Sequence, residues 1–198
     1  MKGLPTRIAG ALLLVVPAAL PGGETGRPDR ATLRAEHRDL LRAVRDGGPS
    51  GPYIVINTRD NLLQLRTRET ILLQAACATG SGRKLEGRKR WKHRWVFDTP
   101  TGRFSIVRKV RDPLWTKPEW VFVEGGEDVP IFAEDPRRFQ RGVLGRYALY
   151  FTRDFMIHGT LYEINLGKSI THGCVRVGEA DLEYLYDRVK PGCPVYIY

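Results

Sequence analysis

The sequence predicts a mainly β domain with one docked helix near its C-terminus. The 198 residues include 21 glycines and 13 prolines, so 34 residues are of these two types. This share is above the usual combined share of about 12% and favours many turns between short strands. Short apolar runs recur between turn residues, and one late segment has helical spacing. An apolar fraction of 42% with four tryptophans is enough for a packed core, which excludes intrinsic disorder and fibrous repeats.

The predicted strands are short segments rich in apolar and β-branched residues. The first two are joined by Thr-Arg-Asp-Asn at 58–61, a good hairpin turn, and the third ends at Thr79-Gly80. We expect these segments to form one continuous β domain. The predicted strands are Tyr53–Asn57, Leu62–Arg66 and residues 70–78, 103–110, 147–152 and 195–198.

Two helices are predicted, one before the first strand and one before the last strand. Residues 31–45 carry apolar positions on one stripe and end at Gly-Gly-Pro (47–49), which is typical of a lead-in helix or spacer. Residues 182, 185, 186 and 189 are apolar at i, i+3, i+4 and i+7, and Pro191-Gly192 ends that helix. The predicted organisation is therefore an N-terminal segment at 1–20, a spacer at 21–50 and a mainly β domain at 51–198.

Residues 1–20 have the pattern of a secretory signal peptide. Lys2 and Arg7 precede an apolar run at 8–20, small residues follow, and Pro-Gly-Gly (21–23) breaks the segment. The run is too short to span a bilayer comfortably. We expect an exported protein of the periplasm or cell wall. An uncleaved N-terminal anchor is the open alternative, and we expect no stable membrane insertion if the signal is cleaved.

The chain is basic, with 32 Lys and Arg against 22 Asp and Glu and a formal net charge of +10. Such a charge attracts polyanions such as nucleic acid, anionic lipid or an acidic cell-wall polymer, although it also serves plain solubility. No basic stretch carries the interleaved aromatic residues of a nucleic-acid platform. We therefore expect no nucleic-acid partner.

Cys174 is the candidate nucleophile, because a glycine and two histidines lie near it in the sequence. It follows Gly173, which allows a sharp turn that exposes the thiol and backbone N–H groups able to hold an oxyanion. His158 lies sixteen residues earlier, and a thiol nucleophile needs such a base because its free pKa is about 8.5. Three alternatives stay open: zinc binding by His158, His172 and Cys174, structural histidines, and a buried inert thiol.

The other two cysteines have no such neighbours. Cys77 ends an apolar run and Cys193 lies in a Pro-Gly-Cys-Pro turn, so both fit small buried residues. A disulfide bond between them is possible in an exported chain, and the sequence leaves it open.

Two motifs resemble the L,D-transpeptidase (YkuD-type) catalytic domain family. The first is His-Gly-Thr (158–160) followed by Thr-His-Gly-Cys-Val-Arg (171–176), and the second is Thr-Pro-Thr-Gly (99–102). The resemblance covers residues 53–198 and implies an L,D-transpeptidase-like β-sandwich of mixed strands with a docked C-terminal helix. The spacer of twelve residues between His158 and Thr171 is short for the family.

The resemblance implies a mechanism and assigns residues to it. Cys174 attacks the third residue of a peptidoglycan tetrapeptide stem and expels D-alanine, and the resulting thioester passes to an amine acceptor in a 3→3 cross-link. His158 acts as general base and acid, the Gly159 carbonyl orients it, and His172 and Gly173 form the oxyanion turn. No metal or organic cofactor is needed. Carbapenems are the expected acylating drugs. The expected substrate-binding residues are Thr160, Thr171, Arg176, Trp115 and Trp120.

Three of these substrate assignments rest on the residues themselves. Arg176 lies two residues beyond Cys174, so on an extended chain both point to one side, and its forked donors suit a stem carboxylate as well as a structural salt bridge. Trp115 and Trp120 are held by prolines in the long segment 111–145, as an aromatic lip over the cleft or as staples to the core.

Other functions also stay open. A carboxypeptidase would replace the acceptor amine by water, and an attachment enzyme would join a protein to the wall. A catalytically silent wall-binding or zinc-binding module is the non-enzymatic alternative.

Overall fold

The structure is a computed structural model that describes residues 29–31, 33–35, 37–38, 47–87 and 93–198. The chain divides into two compact units, residues 1–43 and 44–198. In the first unit the described residues from 30 to 38 are helical, with the Leu33 N–H donating to the Asp29 carbonyl at 3.1 Å. The predicted signal peptide or anchor at 1–20 and residues 39–45 of the predicted lead-in helix lie outside the described residues. None of the described helices is long and apolar enough to cross a membrane.

The second unit consists mainly of short strands. Two helices are described, α1 (Glu119–Glu124) and α2 (Glu179–Arg188), together with single 3₁₀ turns at Pro136–Arg138 and Glu163–Asn165. The strands are β1 (Tyr53–Asn57), β2 (Leu62–Arg66), β3 (Ile71–Gly80), β4 (Lys84–Glu86), β5 (Arg94–Val96), β6 (Gly102–Ser105), β7 (Arg108–Arg111), β8 (Trp115–Thr116), β9 (Phe139–Gln140), β10 (Tyr147–Tyr150), β11 (Met156–His158), β12 (Ser169–Thr171), β13 (Val175–Val177) and β14 (Pro194–Ile197).

Ten of the described strands form one mixed sheet in the order β6-β14-β1-β2-β3-β13-β11-β10-β7, with β12 pairing on β3. Strands β1 and β14, β11 and β13, and β12 and β3 pair in parallel, and the other pairs are antiparallel. Two further antiparallel ribbons, β4–β5 and β8–β9, lie outside this sheet. The mainly β fold with a docked C-terminal helix is therefore confirmed.

The two end strands of this sheet, β6 and β7, are joined by only Ile106 and Val107. The Ile106 N–H donates to the Cys193 carbonyl, and the Val107 N–H donates to the Tyr150 carbonyl, each at 2.8 Å. The sheet therefore curls until its ends meet. The prediction of one strand over residues 103–110 is wrong at this point. Because Ile106 is 1% exposed, its side chain lies in the core and the chain changes partner strand there.

Alternation along β1 and β2 and the spacing of α2 create the core. Ile54, Ile56, Leu63 and Leu65 are fully buried, whereas their neighbours in the strands are half-buried. Leu182 and Leu185 of α2 belong to the same cluster as residues from both halves of the sheet. Burial of one such aliphatic side chain contributes roughly 1.5–3 kcal/mol. The helix therefore fills the space inside the curled sheet.

A buried polar network attaches β12 to the sheet. The Thr79 hydroxyl donates to the Asn61 side-chain oxygen at 2.6 Å, and the Asn61 amide nitrogen donates to Ser169 Oγ at 3.1 Å. Asn61 has φ 51°, a left-handed conformation that asparagine tolerates in a hairpin turn. This network fixes the strand that leads into the segment around Cys174.

The long segment between β7 and β10 contains β8, α1 and β9. The β8–β9 pairing joins Trp115 to Gln140 and Thr116 to Phe139, so this insertion forms its own ribbon. The three thiols of the chain, Cys77, Cys174 and Cys193, are all free.

Candidate active site

Two adjacent parallel strands place the chemical residues on one face. Strands β11 and β13 pair Ile157 with Val175 and His158 with Arg176. Side chains alternate along strands, so Cys174, which directly precedes β13, shares a face with His158 and Arg176. Ile157 and Val175 point the other way and are fully buried in the main core. The core therefore fixes the strands, and the opposite face carries the polar groups.

This face forms part of a cleft of about 490 Å³, a size that suits a small ligand or peptide segment. Seven residues predicted from the sequence line it: Trp115, Trp120, His158, Thr171, His172, Cys174 and Arg176. Nine residues that were not predicted complete the lining: Trp95, Val96, Phe97, Pro118, Val143, Leu144, Asp154, Phe155 and Met156. The walls are mostly aromatic and aliphatic, and the polar groups are concentrated around the thiol.

The turn before Cys174 is held by the Thr171 hydroxyl. Thr171 Oγ1 accepts from the Gly173 N–H at 3.1 Å and donates to the Cys174 carbonyl at 2.6 Å. Gly173 has φ +117°, a conformation that a residue with a side chain rarely adopts. The N–H of Gly173 is thus already occupied by the Thr171 hydroxyl.

The same turn is held from behind by Thr99. Thr99 is 7% exposed, and its hydroxyl donates to the Gly173 carbonyl at 2.9 Å and accepts from the Gly80 N–H at 2.8 Å. Gly80 is required here because a Cβ atom would lie 2.4 Å from the Thr99 backbone nitrogen. Strand β3, the segment containing Thr99 and the turn are therefore joined by hydrogen bonds.

The side chain of His172 contacts the insertion rather than the thiol. Its Nε2 lies 2.8 Å from Glu124 Oε2 at the end of α1. Its ring stacks on Trp120, with centroids 4.0 Å apart and planes at 11°, and meets the Phe97 ring edge-on at 4.3 Å. His172 therefore connects the turn to α1.

The two tryptophans of the insertion pack against the rest of the domain and also line the cleft. Trp115 packs against the cluster of Leu144, Ala148, Tyr150 and Met156 beneath the cleft. Trp120 stacks on His172, and the centroids of the two indole rings are 6.3 Å apart. Both also line the cleft. They thus attach the insertion to the domain and present aromatic surface to the cleft.

Burial governs the titration of Cys174. Desolvation raises the pKa of its thiol above the ordinary 9.0, and the charge of Asp154 acts in the same direction. A backbone hydrogen bond from Met156 and the positive charge of Arg176 oppose this shift. The resting side chain is therefore a neutral thiol near pH 7.

Burial has a corresponding effect on His158, which is 4% exposed. Desolvation, with the charge of Arg176 adding to it, lowers the pKa of the imidazole to about 3. The backbone of Gly159 and of Leu144 lies near enough to oppose this shift, although in the described part of the chain Nδ1 has no partner with hydrogen-bond geometry. The ring is therefore neutral and able to accept a proton.

Among the described residues that line the cleft, Arg176 is the one Lys or Arg. Desolvation lowers its pKa from the ordinary 12.5, and the Cys174 thiolate would raise it, so the guanidinium stays charged at pH 7. Its side chain forms no salt bridge among the described residues. Of the two roles open from the sequence, the structural salt bridge is therefore not found in this part of the chain. The guanidinium can receive an anion.

The alkylation rate of Cys174 should have a simple dependence on pH. Because the pKa of the thiol is raised above 9.0 and that of His158 lowered to about 3, no group of this pair titrates between these values. We expect the rate with iodoacetamide to rise about tenfold per pH unit from about pH 6 to pH 8.5, without a step near pH 6.5. Peptide mass spectrometry measures alkylation at Cys174 separately from Cys77 and Cys193.

A plateau in that rate below about pH 7 would contradict the expectation, because it would indicate a preformed thiolate–imidazolium pair. Cys193 provides an internal control, since burial raises its pKa to about 11.

Two predicted residues lie beside the cleft rather than in its lining. Gly159 approaches the backbone of Gly145 closely, and a Cβ on Gly159 would lie 3.0 Å from the Gly145 Cα. Thr160 accepts a hydrogen bond from the Tyr162 N–H at 3.1 Å in the turn that follows. Within the described ranges, no group of three His, Cys, Asp or Glu side chains is placed to hold a metal ion.

Some site residues were not identified from the sequence. Glu124 and Phe155 belong to segments without a motif; tertiary packing brings Phe155 into the cleft lining and Glu124 against His172. Thr99 lies inside the Thr-Pro-Thr-Gly motif, so a signal existed, but spacing alone does not indicate that its hydroxyl contacts Gly173.

The chain is similar to proteins of one family. Residues 51–197 match the family model described as YkuD, L,D-transpeptidase catalytic domain. A probable L,D-transpeptidase, ErfK/SrfK, from Escherichia coli K12 is 31% identical over 100 residues, which cover 47% of this chain and 30% of that protein. The putative L,D-transpeptidase YqjB from Bacillus subtilis 168 is 28% identical over 150 residues, covering 75% of this chain and 72% of that protein.

Solved structures show a similar fold. An L,D-transpeptidase from Xylanimonas cellulosilytica superposes with a TM-score of 0.53 at 19% identity, over 81% of this chain and 69% of that one. The catalytic domain of the Enterococcus faecium L,D-transpeptidase gives a TM-score of 0.52 at 15% identity, over 77% of this chain and 100% of that one.

Proposed function

Because this chain belongs to the L,D-transpeptidase (YkuD) catalytic domain family, we propose that it is an exported cysteine L,D-transpeptidase acting on peptidoglycan tetrapeptide stems. The observation that carries the proposal is the shared face of His158, Cys174 and Arg176 in an aromatic cleft. The chain spans 30% of the E. coli relative and 72% of the B. subtilis relative. The activity is therefore assigned here from the site and the family together.

The first half-reaction is acylation of the thiol. Cys174 Sγ attacks the carbonyl carbon of the third stem residue while His158 takes the thiol proton. The tetrahedral intermediate collapses, the bond to D-alanine breaks, and His158 gives the proton to the departing amine. A thioester between Cys174 and the stem remains. The neutral thiol and neutral imidazole described above are the protonation states that this step requires.

The second half-reaction regenerates the free enzyme. A side-chain amine of a neighbouring stem attacks the thioester, His158 removes a proton from that amine, and Cys174 leaves as the thiol. The product is a 3→3 cross-link. The Gly159 carbonyl is proposed to orient the imidazole, because it follows His158 directly and the Gly159 backbone lies near enough to raise the pKa of the ring.

The remaining residues serve substrate binding. Arg176 is proposed to hold a stem carboxylate, supported by its unpaired charge among the described residues. The Trp115 and Trp120 rings form an aromatic wall, and Thr171 shapes the turn. The proposed oxyanion donors are the N–H groups of Cys174 and His172. Thr160 lies outside the cleft lining, so its proposed role is limited to the turn after His158.

The proposed location of the protein follows from its charge and its N-terminal segment. The charge of +10 favours a polymer rich in carboxylates, and residues 1–20 supply the export pattern. We propose the periplasm or cell wall, with peptidoglycan stems as the partner and no nucleic acid. Acylation of Cys174 by a carbapenem belongs to the same proposal, and intact-mass spectra with and without the drug test it.

The test is turnover of a defined stem. The purified protein is incubated with a disaccharide-tetrapeptide containing diaminopimelate, and products are identified by mass spectrometry, with Cys174→Ala as the control. We expect a dimer that has lost one D-alanine and is absent with the variant. Tripeptide without dimer would replace the proposal by a carboxypeptidase, and unchanged substrate with retained binding to sacculi would favour a binding module.

A further inference from the structure

The hydrogen-bond directions at Thr99 are determined by its two partners. A hydroxyl group has one proton, and a backbone N–H can only donate. Because Thr99 Oγ1 accepts from the Gly80 N–H at 2.8 Å, its own proton is available for the Gly173 carbonyl at 2.9 Å. The Thr99 hydroxyl therefore acts as a donor to the turn.

That donor fixes one peptide plane. The peptide bond between Gly173 and Cys174 is planar and trans, so its carbonyl and its N–H point in opposite directions. Thr99 lines a second depression that shares no residue with the cleft lining in the described part of the chain. With the Gly173 carbonyl directed to Thr99, the Cys174 N–H is directed away from Thr99.

Gly173 makes this restraint necessary. Gly173 has φ +117°, and glycine can adopt many other backbone conformations as easily. Its N–H and its carbonyl are bound by two different threonines, Thr171 and Thr99. Without the Thr99 hydroxyl, the Gly173 carbonyl would lose this hydrogen bond, and the peptide plane could rotate more freely. A hydrogen bond to a carbonyl also polarises the N–H on the other side of the same peptide group.

We propose that Thr99 is a positioning residue that aims the Cys174 N–H at the oxyanion of the acyl-transfer intermediate. The assignment rests on the proposed function, because it requires a carbonyl substrate at Cys174. Thr99 touches no substrate and acts through the peptide group of Gly173 and Cys174. This positioning gives a chemical role to the Thr-Pro-Thr-Gly motif, to which the sequence analysis assigned no function.

The test compares two reactions of one thiol. Acylation of Cys174 by p-nitrophenyl acetate passes through an oxyanion, whereas alkylation by iodoacetamide is a displacement at saturated carbon and forms none. The ratio of the two rate constants therefore isolates stabilisation of the oxyanion from the reactivity of the thiol. Both rates are measured at Cys174 by peptide mass spectrometry, on protein whose fold is verified by circular dichroism.

We expect Thr99→Val to lower this ratio by about 10- to 100-fold, a little less than the loss of a whole oxyanion donor, with alkylation nearly unchanged. Thr99→Ser keeps the hydroxyl and should restore the ratio. Thr101→Val is the matched control, since Thr101 is exposed and lies two residues along the same motif. Thr99→Ala serves if the valine variant does not fold, because alanine also lacks the hydroxyl that donates to the Gly173 carbonyl and is smaller than threonine.

An unchanged ratio in Thr99→Val or Thr99→Ala overturns the proposal. If both rates fall by the same factor, the ratio is unchanged and Thr99 only supports the fold of the turn. The transpeptidase proposal fails separately. In that case wild-type protein would be acylated by the ester with a ratio sensitive to Thr99 but would leave the tetrapeptide stem unchanged.

Discussion

Gly173→Ala should reduce acylation of Cys174 at least about 100-fold and lower the free energy of unfolding by about 2 kcal/mol or more. The added Cβ would lie 2.4 Å from Phe155 Cε1 and 2.8 Å from the Asp98 carbonyl oxygen. Phe155 packs against the main core and the carbonyl is backbone, so neither yields easily. The turn must then move, and both Sγ and the Cys174 N–H move with it. Burst acylation and chemical denaturation measure the two effects.

Gly167→Ala is the matched control for backbone strain. Gly167 also has a positive φ, +83°, but a Cβ there meets nothing within 4 Å. We expect a loss of about 1 kcal/mol in stability and full activity. If Gly173→Ala behaves like Gly167→Ala in both measurements, the turn is not held as tightly as its contacts indicate.

His158→Gln should lower kcat/KM for stem turnover by about 10²- to 10⁴-fold, the range for loss of a general acid–base group. Glutamine keeps a similar shape but cannot accept and return a proton. The variant should still be alkylated by iodoacetamide at high pH, because that reaction requires only the thiolate. Steady-state turnover and the alkylation rate are both measured on protein whose fold is verified by circular dichroism.

His37→Gln is the control for His158, since His37 is exposed and lies outside the residues matched by the family model. It should retain full turnover. Activity of His158→Gln within about tenfold of the wild type would remove His158 from proton transfer and leave it a structural histidine.

The strands that alternate clearly could be predicted from the sequence. In β1 and β2, buried aliphatic residues alternate with half-buried ones, and the predicted bounds agree with the structure. The same holds for α2, where Leu182 and Leu185 lie at helical spacing and are fully buried. Periodicity is local, so it can be read without knowing the tertiary partner.

The change of strand at Ile106 could not be predicted, because its cause is not local. Residues on both sides favour extended backbone, and only the pairing of β6 with β14 and of β7 with β10 separates them. The chain direction continues while the partner strand changes. A propensity pattern carries no information about which strand will lie alongside.

The candidate site shows the same division. The motif around Cys174 supplied the thiol, the histidine before it and Arg176, and the structure places all three in one cleft. Glu124 pairs with His172 from 48 residues away, and Thr99 contacts Gly173 from 74 residues away. Tertiary packing brings such distant residues together, and the spacing of residues within a motif carries no information about it.

Strand β14 has a consequence for the order in which this domain can fold. Its residues 194–197 lie between β1 and β6, so two segments far earlier in the chain share this late neighbour. While a ribosome is still synthesising the middle of the chain, β1 and β6 have no such neighbour to pair with. Closing a loop of this length is slow compared with forming a hairpin. The described sheet can therefore be completed only after synthesis has passed residue 197.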